Sequence, residues 1–167
     1  MAVVTRLGNT VTNRDAVPAV INDGRLEGSN EKIAKAFITT VAGDSIASIY
    51  KMIALPSTAI VHQILVSCAA MTAGAGDLGV YRNSAAGGAV VSAAFFAAAV
   101  SFIAALNHND AMTQTTNTLD KRAQPLWQAA GLAADPGQTL DVNFTLTTAI
   151  TAGGLLEVVV KYTDHSA

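Results

Sequence analysis

The sequence predicts an all-β protein: an antiparallel β-sandwich or jelly roll with one short helix and an extended N-terminal arm. Short apolar segments recur along the chain between turn residues, and two segments near the C terminus alternate between apolar and polar residues. Regular short strands separated by turns are typical of sandwiches and jelly rolls, and the segments add up to about eight strands. We therefore expect an arm at residues 1–30 and a sandwich domain at residues 31–167.

The clearest alternation lies in the last part of the chain. Residues 139–148 (TLDVNFTLTT) place apolar side chains on one face and polar side chains on the other, and residues 155–163 (LLEVVVKYT) follow a similar pattern. The link between them, AITAGG, ends in two glycines, which adopt positive φ readily. The two segments are therefore predicted to pair as a hairpin.

Strand signals also fill the first half of the domain. Turn residues such as Gly43 and Pro56 separate four apolar segments, which cover residues 32–42, 45–55, 58–70 and 77–83. The second of these segments is partly apolar on both faces, as expected for a strand that is covered on both sides, in a sandwich or at an interface. The Thr-rich residues 111–118 are counted as a further strand.

One short helix is predicted within the stretch QPLWQAAGL. Pro125 suits a first helical position, and Gly131 suits the position that ends a helix. Leu126, Trp127 and Ala130 form a narrow apolar face between them. We expect a helix of about two turns that covers one end of the sandwich.

Residues 85–106 (AAGGAVVSAAFFAAAVSFIAAL) form the longest uncharged run, and it is about as long as a bilayer-spanning helix. About half of the run is alanine or glycine, leucine is nearly absent, and neither a Lys/Arg cluster nor a Trp belt flanks it. These features argue against a membrane span. The run is interpreted as two pieces, each a strand or a short helix, around an alanine bend with Phe95 and Phe96 in the core.

The composition indicates a surface that is partly covered by other subunits. The 167 residues are 51% hydrophobic and only 13% charged, so the chain has little polar material with which to cover a free surface. The formal net charge of −2 argues against nucleic acid as the main partner, because phosphate binding requires clustered Lys and Arg. Neither nucleic acid nor a membrane is therefore expected as a partner.

A glycine-rich stretch, GAGDLG at residues 74–79, matches the G-x-G-x-x-G pattern of dinucleotide-binding proteins. That pattern binds a pyrophosphate only where the glycines open a helix, whereas strand and turn residues follow here. The stretch is interpreted as a glycine-rich β loop, and no cofactor is predicted.

The sequence provides no convergent set of catalytic or metal-binding residues. His62, His108 and His165 lie far apart, and none has a companion His or Cys at metal-ligand spacing. We expect His62 to be a partly buried strand residue with its hydrogen bonds satisfied. Cys68 lies in apolar surroundings without a nearby base and is expected to pack in the core. The chain is therefore predicted not to be an enzyme.

The first 30 residues mix short apolar pieces with polar turn residues. A frayed terminus and an arm that orders on a neighbouring subunit both fit this pattern. In the second interpretation the scattered large apolar side chains make intersubunit contacts, and the candidate contact residues are Val3, Val4, Leu7, Val17, Val20 and Ile21.

Several stretches together resemble one known family. They are GDSIASIYKMIALPSTAIVHQILVSC (43–68), DLGVYRN (77–83), PLWQAAGLAADPG (125–137) and TTAITAGGLLEVVVKYT (147–163). They are similar to the capsid decoration, or cement, proteins of tailed bacteriophages, in particular those of the small jelly-roll type. None of the stretches is a catalytic signature, and residues 1–30 have no counterpart in the resemblance.

The resemblance implies a non-enzymatic virion protein on the outer surface of an icosahedral phage head, made in the host cytoplasm. It would stabilise the capsid by bridging neighbouring major capsid subunits, with a homodimer favoured over a homotrimer. Two alternatives stay open on the sequence: a carbohydrate-binding or adhesive β-sandwich, and another virion part such as a tail or fibre component. A low aromatic content of 5% disfavours the first of these.

Overall fold

The structure is a computed structural model, and it describes residues 16–18, 20, 30–114 and 117–164. The chain separates into two compact units, Met1–Asn30 and Glu31–Ala167. All the strands of the described residues lie in the second unit. They are β1 (Glu31–Thr39), β2 (Ile49–Pro56), β3 (Ala59–Cys68), β4 (Ala75–Arg82), β5 (Val90–Ser101), β6 (Leu106–Asp110), β7 (Thr139–Thr148) and β8 (Leu155–Asp164).

The eight strands form two four-stranded antiparallel sheets. One sheet has the order β1-β8-β3-β6 and the other the order β2-β7-β4-β5. Two packed sheets of this kind, built from eight strands by Greek-key connections, constitute a jelly roll. The predicted all-β sandwich is therefore confirmed.

The core lies between the two sheets, where the apolar faces of the alternating strands meet. Leu140, Val142, Phe144 and Leu146 of β7 are buried in this core, as the alternation of that strand predicts. The Phe144 ring packs edge-to-face on the ring of Phe102, with the ring centroids 5.4 Å apart.

The predicted hairpin between β7 and β8 is wrong. The central strand β7 pairs with β2 and β4, whereas β8 pairs with β1 and β3 in the opposite sheet. The link between them crosses from one sheet to the other, and its Ile150 is buried in the core. Ile150 exchanges backbone hydrogen bonds with Gly43 and Asp44 of the β1–β2 connection. The apolar faces of β7 and β8 therefore face each other across the core, and the two strands do not lie side by side in one sheet.

The long uncharged run contains one strand, β5, instead of two separate pieces. Phe95 and Phe96 are both buried, as predicted, and their rings pack edge-to-face. Phe95 and Phe96 are adjacent in the chain, yet both are buried because the register between β4 and β5 shifts. At this bulge, residues 93–96 of β5 lie opposite the single residue Gly79 of β4. Within the described part of the chain, no helix has the length and apolar character needed to cross a membrane.

Gly76 and Gly79, from the glycine-rich stretch, lie inside strand β4. Gly79 belongs to the strand segment predicted at residues 77–83, whereas Gly76 was expected in a glycine-rich loop. A Cβ atom at Gly79 would lie less than 3.0 Å from the carbonyl oxygens of Ser92 and Ala93, because the β5 bulge passes directly over this residue. The glycine at position 79 therefore permits the close approach of two strand backbones.

Other element boundaries differ from the expected ones. The segment at 45–55 becomes a strand only from Ile49, because the preceding residues form turns in which Ala47 has a positive φ of 71°. No strand is present in the described part of residues 111–118. Strand β6 is not predicted by the sequence pattern, since LNHND is polar apart from its leucine.

The predicted helix is present but spans a single turn, α1 (Leu126–Ala129). Pro125 directly precedes it, and Gly131 follows with a positive φ of 91°. Leu126 and Ala129 are buried, and the backbone N–H of Trp127 donates to the backbone carbonyl of Ser57 at 3.1 Å. The helix therefore covers the core beside the β2–β3 turn.

Candidate interaction surfaces

Strand β1 lies at the edge of its sheet and carries exposed apolar side chains. Ala34, Ala36 and Ile38 pack against the core, so the alternate residues point outward. Two of these outward residues are large and apolar: Ile33 is 63% exposed and Phe37 is 71% exposed. Among the described residues, no strand pairs with the outer edge of β1.

The outward side chains of β1 and its partner β8 form a surface that we call the β1 face. The register places Lys35 opposite Val159, Phe37 opposite Glu157 and Thr39 opposite Leu155. Phe37 and the exposed Leu155 are therefore diagonal neighbours, within reach of each other. The β1 face consists of Ile33, Lys35, Phe37, Leu155, Glu157, Val159 and Lys161.

Two ion pairs join strand β1 to strand β8. Lys35 Nζ lies 2.5 Å from Glu157 Oε1, and the Lys35 ammonium holds the pKa of the Glu157 carboxyl below its ordinary value. At the start of the strand, Lys32 Nζ lies 3.3 Å from Asp164 Oδ2. Exposed ion pairs of this kind contribute little to stability. The β1 face therefore presents its exposed apolar side chains beside the Lys35–Glu157 pair.

A second apolar surface lies where four connections between the two sheets meet at one end of the sandwich. We call this surface the loop end, and it consists of residues 40–48, 69–74, 102–105 and 149–154. Val41, Ile46 and Ile103 are exposed there, and Ile49 and Leu155 are exposed at the adjoining strand starts. Asp44 is the single charged residue in the four connections.

The carboxylate of Asp44 is bound within its own loop. The Tyr50 hydroxyl donates to Asp44 Oδ2 at 2.6 Å, and the Val41 N–H donates to the same oxygen at 3.0 Å. These two hydrogen bonds, that from Tyr50 first, hold the pKa of Asp44 below its ordinary value. The charge therefore orders the β1–β2 connection.

The Asp44 bonds predict a pH-dependent contribution to stability. The folded-state pKa is lower than the unfolded one, so the contribution is present above the unfolded pKa and is lost as the pH falls through the folded pKa. Asp44→Asn should lower the Tm at neutral pH, and the difference from the wild type should shrink below about pH 4. Thermal melts followed by circular dichroism over this range measure it. A difference that is constant with pH would contradict the assignment.

The predicted arm contacts are only partly within the described residues. Val17 and Val20 are both exposed. Val3, Val4, Leu7 and Ile21 lie outside the described residues, so the intersubunit role of the six residues stays a prediction. The sequence analysis did not predict the exposed residues Ile33, Phe37, Val41 and Ile103. For Ile33 and Phe37, the available signal was the presence of large apolar residues on both faces of the first predicted strand.

Cys68 and His62 lie in strand β3, and His108 lies in strand β6. Cys68 is buried in the core, as predicted, and burial raises the pKa of its thiol. His62 is exposed, not partly buried as expected, since it lies at a register shift in β3, and its Nε2 lies 3.0 Å from Thr163 Oγ1. His165 lies outside the described residues. Among the residues that the structure describes, no three His, Cys, Asp or Glu side chains are grouped to hold a metal ion.

An open cleft of about 410 Å³ lies beside the β2–β3 turn. Its polar groups bind each other: the Ser57 hydroxyl donates to Asp135 Oδ1 at 2.5 Å, and the same oxygen accepts the Gly137 N–H at 2.9 Å. These bonds tie the turn that precedes β7 to the turn that precedes β3. The cleft is therefore explained by the geometry of the two turns.

The described residues thus form a small jelly roll that carries two exposed apolar surfaces. No family model matches the sequence, and no curated protein matches it either. A solved chain titled "Cyanophage Pam1 capsid asymmetric unit" has a similar fold, with a TM-score of 0.54 and 18% sequence identity. The similarity covers 83% of this chain and 88% of that chain, so nearly the whole of each takes part.

Proposed function

We propose that this chain is a virion structural protein, namely a decoration or cement protein on the outside of a phage head. It would stabilise the head by bridging neighbouring major capsid subunits, without catalysing a reaction. The observation that carries the proposal is the β1 face, an apolar strip along the edge strand of one described sheet. The fold similarity to a chain of a cyanophage capsid asymmetric unit supports a virion role.

The β1 face offers two ways to hold a capsid surface. The large side chains of Ile33 and Phe37 can be buried against a partner, and aromatic residues are enriched among the residues that dominate binding energy. The outer edge of β1 can also accept an extended partner segment by backbone hydrogen bonding. Lys35 and Glu157 compensate each other, so neither of these two charges requires an opposite charge on the partner.

The sequence of the arm continues directly into β1, because residue 30 is followed by the strand. An arm that binds a neighbouring subunit would enlarge the contact made by the β1 face. A stable interface needs about 800 Å² of buried surface on each partner. In this proposal the arm residues Val3, Val4, Leu7, Val17, Val20 and Ile21 contribute to that area.

The proposal is tested by locating and counting the protein on intact particles. Cryo-electron microscopy of the virion should show it at many equivalent positions over the outer surface of the head, between major capsid subunits. Density confined to the tail or fibres would contradict the decoration role and support a different virion part. Absence from purified virions would contradict the proposed function as a whole.

Deletion of residues 1–25 is expected to weaken head binding while leaving the sandwich folded. The physical reason is that the described strands and core belong to Glu31–Ala167, whereas the deletion removes the six predicted contact residues and leaves that unit intact. Sedimentation of the purified variant with undecorated heads should show an affinity at least about 10-fold below that of the full chain. The melting profile of the variant serves as the control for folding, and unchanged occupancy on the heads would exclude a role for the arm.

A further inference from the structure

A small cavity lies between helix α1 and strands β3 and β5. Its volume of about 10 Å³ has room for a single occupant of the size of a water molecule. Val61, Phe96 and Leu126 form part of its wall, and all three belong to the core. Because the space is so small, the polar groups that line it decide what kind of occupant it accepts.

The side chain of Asn117 brings an unsatisfied hydrogen-bond donor to this cavity. Asn117 lines the cavity and is only 4% exposed. Its Nδ2 atom is buried and has no hydrogen-bond partner in the described protein. A buried donor without a partner destabilises a fold, so native proteins nearly always provide an acceptor for it. The group that fits beside Asn117 is therefore a hydrogen-bond acceptor.

Two positive charges lie close to the cavity. The Lys121 ammonium lies 6.0 Å from the centre of the Phe95 ring, and Phe95 lines the cavity. Arg122 Nη2 lies 3.5 Å from the backbone carbonyl oxygen of Met112, another lining residue. Lys121 and Arg122 line the cavity themselves, and none of the described lining residues is acidic. The charged side chains around the cavity thus favour a negatively charged occupant.

We propose that this cavity is a binding site for a monatomic anion, with chloride as the ligand available to proteins in solution. The Asn117 amide donates a hydrogen bond to the ion, and the cations of Lys121 and Arg122 compensate its charge. A water molecule also fits the space, but it needs acceptors for its own two hydrogens, whereas an anion uses donors alone. The site requires no capsid, so it goes beyond the proposed function.

The first test is the melting temperature of the full chain at constant ionic strength, with sodium chloride replacing sodium gluconate. A ligand that binds the folded state raises the melting temperature, and the rise grows with its concentration. We expect a rise of about 3 °C or more between zero and about 300 mM chloride. Gluconate is too large for the cavity and therefore controls for ionic strength. A melting temperature that does not respond to chloride would overturn the proposal.

Substitutions assign the effect to the cavity. Asn117→Asp keeps the size of the side chain but replaces its donor with a negative charge, so the chloride-dependent rise should disappear. Arg122→Gln should reduce the rise at least about twofold. Arg82→Gln is the matched control, because it removes the same charge from strand β4, and Arg82 does not line the cavity. An equal reduction in the two glutamine variants would reveal a general effect of charge and contradict the site.

Crystals grown in sodium bromide locate the ion directly, because bromide replaces chloride and gives an anomalous signal at its absorption edge. An anomalous peak within hydrogen-bond distance of Asn117 Nδ2 would confirm the site without any variant. Density there that lacks an anomalous signal would identify a water molecule and overturn the proposal. Bromide peaks confined to the protein surface would indicate an adventitious ion only and would overturn it as well.

Discussion

Replacement of Gly79 by alanine should destabilise the domain by about 3 kcal/mol or more. The added methyl group would overlap the carbonyl oxygens of Ser92 and Ala93, and these are backbone atoms that cannot rotate away. Relief would require the β5 bulge to lift, which would also displace Phe95 and Phe96 from the core. Chemical denaturation of the purified variant measures the loss.

Gly76→Ala is the matched control for this prediction, since Gly76 lies in the same strand. Its added Cβ would lie 3.2 Å from the Thr145 carbonyl oxygen, so a shift of a few tenths of an ångström relieves the contact. We expect a loss of about 1 kcal/mol. Equal losses for the two variants would show that the close passage of β5 over Gly79 does not limit stability.

The double variant Ile33→Glu and Phe37→Lys should reduce head binding by at least about 100-fold while preserving the fold. It removes both large apolar side chains from the β1 face and leaves the net charge unchanged. Each new charge lies opposite a residue of the other sign, because Ile33 pairs with Lys161 and Phe37 pairs with Glu157. Cross-strand pairs of opposite charge are favourable, so the melting temperature should not fall.

Leu119→Lys is the control for nonspecific effects of surface charge, because Leu119 is exposed and lies outside the β1 face. Its head binding, measured by cosedimentation, should equal that of the wild type. If the double variant binds as tightly as the wild type, the β1 face is not the capsid contact.

The sequence predicts the strands best where one face of a strand is buried and the other is solvated. Strand β7 occupies residues 139–148 as expected, because its alternation reports directly on the core face. Strand β5 is harder to predict, because its bulge buries Phe95 and Phe96 together and so removes the period of two. The polar strand β6 has no such pattern, since most of its side chains are exposed.

The predicted β7–β8 hairpin fails for a tertiary reason. A link of six residues with two glycines fits a tight turn, but it also fits a crossing between two sheets. Burial of Ile150 and its bonds to the β1–β2 connection favour the crossing, and both contacts come from residues distant in sequence. Alternation identifies which side of a strand is apolar, but it does not identify the strand beside it.

The low charge content directs attention to exposed apolar surfaces, but it does not locate them. Ile33 and Phe37 belong to the same apolar segment as Ala34 and Ile38, and only the packing of β1 on β8 decides which residues face the core. The residues of the loop end are farther apart in the sequence than those of β1, because they come from four connections that are separated by whole strands.

The sequence by itself determined the all-β class, the sandwich and the burial of several core residues, because alternation and turn residues act over short distances. Tertiary structure decided the pairing of the strands, the need for glycine at position 79 and the grouping of exposed apolar residues into two surfaces. These features depend on backbone hydrogen bonds and close contacts between distant segments. Such contacts exist only after the two sheets have packed around a common core.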